Sequence, residues 1–279
     1  MGNNFFRFKQ FTVSQGGAAM KVGVDSVLLG AWVDVDSATR ILDTGSGTGL
    51  LALMMAQRYP DAVIDAVEID EDAHQQAIEN VTNSPWSNRI RLCCNDFFDF
   101  ADNCPSRYDL IISNPPYFTA SLKPSDIKRN IARHNDRLPI RRFVAEATKL
   151  LTPNGMMAVV LPPAEASELI DEAESCNLLV KRTLHVQTIP SKPVSRIHVE
   201  LSKTPRGYLK SGHCGLDPQS HENITSEYQE IAGQARNDKM KKKAYETALS
   251  GEKLCIEKAD RSDYTDEYKD LTKGFYLKF

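Results

Sequence analysis

The chain has 279 residues, 41% of them apolar and 25% charged, with a formal net charge of −3. This is ordinary for a globular chain and argues against a wholesale polyanion binder, while leaving room for a local basic face. No apolar run is long enough to span a membrane, and the start, "MGNNFFRFKQF", has neither the apolar core of a secretory signal nor the Ser or Thr that myristoylation wants at its sixth position. The cysteines, Cys93, Cys94, Cys104, Cys176, Cys214 and Cys255, follow no metal-type spacing; they read as reduced thiols in a cytoplasmic protein, and no metal is expected.

The first 21 residues carry Arg7, Lys9 and Lys21 and no acid. From residue 40 the pattern alternates. "RILDTG" is a short apolar run, "LLALMMAQRY" has helical spacing, and "AVIDAVEID" is a strand ending in acids. "EDAHQQAIENVTN" is expected to be a helix with Ala73, Ala77, Ile78 and Val81 on its apolar side. "IRLCCNDF" and "DLIISNPPY" are the third and fourth strands. "RRFVAEATKLL" is a helix closed by "TPNG", "MMAVVLP" a fifth strand, and "PAEASELIDEAESCN" another helix. Strands alternating with helices of this length mean βαβ units and a parallel sheet. "LLVKRTLHVQ" and "SRIHVELSK", joined by "TIPSKPV" with no helix between them, should pair antiparallel. The expected fold is α/β, a doubly wound, mostly parallel sheet with an antiparallel edge strand.

Residues 206–243 are polar and lack a sustained period, so they read as an insertion, and a long structureless connection is unusual inside a compact domain. "EKLCIEK" is expected as a final strand, and "YTDEYKDLTKGFYLKF" as a short helix followed by an aromatic-rich strand. One domain is therefore expected, with an N-terminal segment (1–39), a core (40–205), the insertion (206–243) and C-terminal strands (244–279).

Two stretches carry chemistry. In "LDTGSGTG", Gly45, Gly47 and Gly49 precede an apolar helix, and glycine lets backbone turn tightly and approach a ligand closely. The spacing G-x-G-x-G does not match the dinucleotide fingerprint G-x-G-x-x-G. Glu68 ends the second strand, where an acid can accept both hydroxyls of a ribose, and Asp96 follows the third, where it can accept an adenine amino proton. These positions converge on the carboxyl ends of the strands, where open α/β sheets bind ligands. In "NPPY", Pro115 and Pro116 stop the strand and deliver Asn114 and Tyr117 to one place. An amide carbonyl on Asn114 and a rigid backbone carbonyl on Pro115 suit a planar amine whose nitrogen gains charge as it reacts, and Tyr117 can stack on a ring that has left its own stack. Seven cations, Lys123, Lys128, Arg129, Arg133, Arg137, Arg141 and Arg142, stand between 123 and 142 against Asp126 and Asp136, a second basic stretch. His74, His134, His185 and His198 have no triad or metal partner spacing and read as structural.

"LDTGSGTG", "EID", "ND" and "NPPY", in that order, resemble the class I S-adenosylmethionine-dependent methyltransferases. The resemblance implies a seven-stranded sheet and S-adenosylmethionine as cofactor. Asp43, Gly45, Gly47 and Gly49 would cradle its methionine part, Glu68 with Ile69 would meet the ribose, and Asp96 would meet the adenine. Asn114, Pro115, Pro116 and Tyr117 would form the acceptor site, with Asn114 also bordering the cofactor. "FRFKQFTVSQGGAAMKVGVDSVLLGAWV" and the C-terminal "YTDEYKDLTKGFYLKF" further resemble the bacterial family that methylates N6 of adenine 37 in valine transfer RNA. That likeness covers residues 5–205 and 252–279, and 206–243 stands outside it. It implies that Met20 to Asp25, Lys21 among them, lie against the cofactor and close the site; Lys21 could equally meet phosphate or solvent. Where this family often has Thr, this chain has Val24. Transfer RNA is the implied partner of a monomeric enzyme, held by phosphate contacts from Arg7, Lys9, Lys123, Lys128, Arg129, Arg133, Arg137 and Arg141. Two other readings stay open on the residues: an N-methyltransferase of protein glutamine, ribosomal RNA or DNA, and a non-enzymatic RNA-binding module that keeps the fold.

Overall fold

The computed structural model describes residues 4–16, 21–115, 139–203 and 251–277. Eight strands form the main sheet: β3 (Arg40–Thr44), β4 (Val63–Glu68), β5 (Ile90–Cys94), β6 (Tyr108–Ser113), β7 (Leu151–Leu161), β8 (Leu179–Gln187), β9 (Arg196–Ser202) and β10 (Glu252–Cys255). Their spatial order is β10-β8-β9-β7-β6-β3-β4-β5. All run the same way except β9, which is antiparallel to both β7 and β8. The chain order reverses around β3, which pairs with β4 on one side and β6 on the other, and that reversal opens a crevice at the strands' carboxyl ends.

The central strands are apolar on both faces because both faces are covered. Along β6, Leu110 and Ile112 join one buried cluster and Ile111 the other; along β7, Met156, Ala158 and Val160 alternate in the same way with Met157, Val159 and Leu161. The first face is covered by α1 (Val24–Trp32), α2 (Leu50–Arg58) and part of α3 (Glu71–Thr82), the second by α4 (Phe97–Asn103), α5 (Ile140–Leu150) and α6 (Pro163–Ser175). The helix stops are chemical. α6 starts with Pro163 in its first turn, where no N–H is missed, and ends in Asn177 at φ 59, with Leu178 N–H donating to the Ala173 carbonyl.

The expected fold class holds, and several details differ. "EKLCIEK" adds an eighth strand, β10, in register with Leu184–Gln187 of β8. The antiparallel strand β9 lies inside the sheet because it pairs with β7 on one side and β8 on the other, and β10 is the edge. The "TPNG" expected to separate helix from strand belongs to β7: Leu151 pairs with Tyr108, the ladder skips to Met156 opposite Leu110, and Thr152–Gly155 bulge between. A Cβ on Gly155 would stand 2.7 Å from the Tyr108 carbonyl, so only glycine lets the strands close at that bulge. On α3 Ile78, expected on the apolar side, is exposed, while Gln76 and Asn80 are buried with Ala73, Ala77 and Val81. The tail forms helix α7 (Asp266–Thr272), but no strand follows among the described residues. Instead Tyr276 makes a single antiparallel bridge to Phe8, next to a two-stranded hairpin of β1 (Phe5–Arg7) and β2 (Thr12–Ser14). Rings decide this: Phe8 stacks on Phe11 at 4.6 Å and on Tyr276 at 6.0 Å, and Phe6 also packs on Tyr276. The insertion, residues 206–243, lies outside the described residues.

The end of α1 is held by charge. Glu200, fully buried on β9, accepts from Arg182 Nε at 2.8 Å, Arg182 Nη2 at 2.9 Å and the Asp34 N–H at 2.9 Å. Arg182 also donates to the Trp32 carbonyl and lies over the Trp32 ring at 4.2 Å. A buried carboxylate survives there because every partner is in place.

Candidate active site

The end of β3 builds the first half of the site. Gly45, Gly47 and Gly49 all have positive φ (67°, 54° and 79°), a conformation that side chains disfavour, so the turn between β3 and α2 needs its glycines. A Cβ on Gly45 or Gly47 would meet nothing within 4 Å, so open space lies where a ligand could approach the backbone. The turn is pinned from β4: Gly45 and Ser46 N–H groups donate to the Val67 carbonyl, and Gly47 N–H donates to Glu68 Oε2 at 2.7 Å. Glu68 Oε1 accepts from Asp70 N–H at 2.9 Å. Glu68 therefore both ends β4 and holds the glycine turn, with lone pairs left on each oxygen. Ile69 beside it is 64% exposed, an apolar surface at the mouth of the crevice.

Asp43 is fully buried. Its Oδ2 accepts from Ala52 N–H at 2.9 Å, and its Oδ1 has no partner among the described residues. Burial pushes its carboxyl up to about 7; the Ala52 N–H opposes this and the nearby Glu68 charge adds to it. Thr44 Oγ1 and Ser46 Oγ are likewise buried without a partner among the described residues. Asp96 caps α4, accepting Phe98 and Asp99 N–H groups on Oδ1, next to the Asn95 N–H that donates to the Glu68 carbonyl.

β6 delivers the second half. Ser113 Oγ donates to the Thr44 carbonyl at 2.8 Å, which ties the end of β6 to the end of β3. The next residue, Asn114, donates through Nδ2 to Ser26 Oγ on α1 at 2.8 Å, and its Oδ1 is buried with no partner among the described residues. Pro115 is buried behind it. Four polar atoms without a partner among the described residues, Asp43 Oδ1, Thr44 Oγ1, Ser46 Oγ and Asn114 Oδ1, thus belong to residues at or just after the ends of β3 and β6. A buried unpaired acceptor costs free energy and calls for a partner. The open glycine turn and these atoms fit a polar ligand such as the expected cofactor.

The remaining candidates are spread out. Lys21, Arg7, Lys9 and Arg141 are exposed. Arg7 lies over the Phe5 ring, Lys9 Nζ donates to the Lys273 carbonyl, and Arg141 reaches Glu172 of α6. Arg7 and Lys9 sit with the aromatic hairpin on the first face, and Arg141 on α5 on the second, so these described cations do not form one patch. Pro116, Tyr117, Met20, Lys123, Lys128, Arg129, Arg133 and Arg137 lie outside the described residues. Among the described residues no group of three or more His, Cys, Asp or Glu could hold a metal ion, and no helix is long and apolar enough to cross a membrane.

Sequence reasoning missed two residues. Asn80, buried on α3, accepts from Ser14 N–H and donates to the Ser14 and Thr48 carbonyls, joining the hairpin to the glycine turn. Ser26 holds Asn114 across 88 positions. An amide on an apolar helix face was the only hint of the first; nothing in spacing marks the second.

Residues 18–181 match the methyltransferase small domain family. A tRNA1(Val) (adenine(37)-N6)-methyltransferase of Parabacteroides distasonis is 47% identical over 221 residues, covering 79% of this chain and 93% of that one. One of the same name from Bacteroides fragilis is 43% identical over 279 residues and spans both chains completely. A solved structure described as a predicted O-methyltransferase from Agrobacterium tumefaciens superposes with a TM-score of 0.58 at 16% identity, covering 90% of this chain and 96% of that one, a likeness of fold. The chain thus belongs to the methyltransferase small domain family and, within it, to the tRNA1(Val) (adenine(37)-N6)-methyltransferases.

Proposed function

We propose that this chain transfers a methyl group from S-adenosylmethionine to N6 of adenine 37 in tRNA1(Val). The observation that carries the reading is Asn114 Oδ1, a buried acceptor without a partner among the described residues, at the end of the strand that touches the glycine turn. The relatives' name, at 43% identity along the whole chain, supports the choice of substrate.

S-adenosylmethionine supplies an electrophilic methyl group. Asp43, the glycine turn, Glu68, Ile69 and Asp96 would hold it, and Lys21 would lie against it. An exocyclic adenine nitrogen is a weak nucleophile because its lone pair is shared with the ring. Asn114 Oδ1 and the Pro115 carbonyl accept its two N–H groups, and both bonds strengthen as the nitrogen becomes tetrahedral and positive. Pro116 keeps the carbonyl rigid, and Tyr117 stacks on the extruded base. A loop nucleotide reaches this pocket readily, since an unpaired base has less stacking to lose. Arg7 and Lys9 on one face, Arg141 on the other, and the cations at 123, 128, 129, 133 and 137 contact separate phosphates of the transfer RNA, which positions it without reading its sequence. The same reading makes the enzyme a monomer working in the cytoplasm. The test is mass spectrometry of transfer RNA nucleosides from strains with and without the gene. N6-methyladenosine should vanish from tRNA1(Val) in the deletion strain and return on complementation. A mark lost from ribosomal RNA, DNA or a protein glutamine instead would refute the substrate.

A further inference from the structure

Asn114 faces a problem of orientation. The two ends of its amide are nearly the same size, yet only the carbonyl end can accept a proton from an amine; the NH2 end would set donor against donor. The strand that carries it stops at Pro115, so the backbone fixes where the side chain starts but not how its amide is turned.

We infer that Ser26 is a positioning residue for Asn114, and that α1 serves the acceptor half of the site through it. The inference rests on the methyltransfer reading above. Ser26 Oγ lies 2.8 Å from Asn114 Nδ2 and accepts its hydrogen bond, which leaves Oδ1 as the buried end of the amide with no partner among the described residues. The hydroxyl is a firm anchor because α1 is fixed at both ends. In its first turn, next to Ser26, Asp25 accepts from Arg196 Nε of β9 at 2.8 Å. At its last turn, Trp32 is held by Arg182, and the Asp34 N–H just beyond it by Glu200. Between them Val27, Leu28 and Leu29 are fully buried. Ser26 itself is only half-buried and packs no apolar core, so its hydroxyl is not needed to hold the helix in place.

The test compares wild type, Ser26→Ala and Ser26→Thr in turnover at saturating transfer RNA and S-adenosylmethionine, in cofactor affinity by calorimetry, and in thermal midpoint. Ser26→Ala should turn over about tenfold more slowly, the scale of one net hydrogen bond, with cofactor affinity and thermal midpoint unchanged. Ser26→Thr, which keeps the hydroxyl, should restore most of the rate. Equal turnover of Ser26→Ala and wild type would overturn the proposal. So would a loss of cofactor affinity or of thermal midpoint matching the loss of rate, because Ser26 would then serve the cofactor or the fold. These outcomes differ from failure of the functional reading: a wild-type enzyme that leaves transfer RNA unmethylated removes that reading and this proposal with it, whereas an active wild type with an equally active Ser26→Ala removes this proposal alone.

Discussion

On the donor side of the cleft the glycine turn is tied to β4 by three backbone N–H bonds, two to the Val67 carbonyl and one to Glu68, and Asn80 adds a fourth tie from α3. On the acceptor side Ser113 ties the end of β6 to Thr44, and among the described residues the Asn114 amide has one partner, Ser26. The donor side is thus built by neighbours within adjoining βα units and is redundant. Among the described residues the Asn114 amide depends on a helix 88 positions earlier in the chain. Loss of one group should therefore hurt the two halves differently: affinity on the donor side, turnover on the acceptor side.

The sharpest break is Asn114→Ala. Turnover should fall roughly 10²- to 10³-fold, the usual cost of removing one transition-state hydrogen-bonding group, while calorimetry shows near-normal cofactor affinity. A variant that keeps most of its turnover would end the acceptor-site assignment. Next in size is Glu68→Ala, which frees the Gly47 and Asp70 N–H groups as well as any ribose contact. Cofactor dissociation should rise about ten- to a hundredfold, with turnover at saturation close to wild type. Unchanged affinity would show that the glycine turn holds itself without Glu68.

Asp43→Asn probes the buried end of the donor side through pH. The carboxyl is raised from 3.8 to about 7 in the fold by burial. A raised carboxyl stabilises the fold fully below its unfolded value, and that contribution is lost as pH rises through about 7. Relative to Asp43→Asn, the ligand-free wild type should lose stability between pH 4 and 7, with a slope of at most about 1.4 kcal/mol per pH unit. Urea denaturation across that range reads it, and parallel curves for the two proteins would contradict the buried, unpaired state of Oδ1. The smallest effects belong to the surface cations. Arg7→Ala should raise KM for transfer RNA a few-fold at low salt and less at high salt, as expected for one phosphate contact. Lys9→Ala should do less, because its ammonium is already engaged by the Lys273 carbonyl. Equal effects, or effects on cofactor KM, would argue against the hairpin as an RNA contact.

Much of this site is legible in the residues because it is local. "LDTGSGTG" announces its left-handed turn through glycine, and "NPPY" its strand end through proline, since these residues restrict or free φ wherever they stand. Glu68 and Asp96 follow from being acids at the ends of mostly apolar strands. Ser26 and Asn80 leave no such mark. A serine in a first helical turn and an asparagine on a helix side look the same whether they face water or hold another side chain.

The amino-acid sequence by itself determined the strands, their mostly parallel sheet, the glycine turn and the strand-ending prolines, because apolar periodicity and backbone freedom are properties of neighbouring residues. Tertiary structure alone decided that β9 would insert between β7 and β8 with β10 at the edge, that Tyr276 of the aromatic tail would pack on Phe8, that Glu68 would grip the glycine turn, and that α1 would reach across to Asn114. Each of these is a contact between residues far apart in the chain. Its free energy depends on which surfaces and polar groups remain uncovered once the sheet has formed, and that is known only after the chain has closed around them.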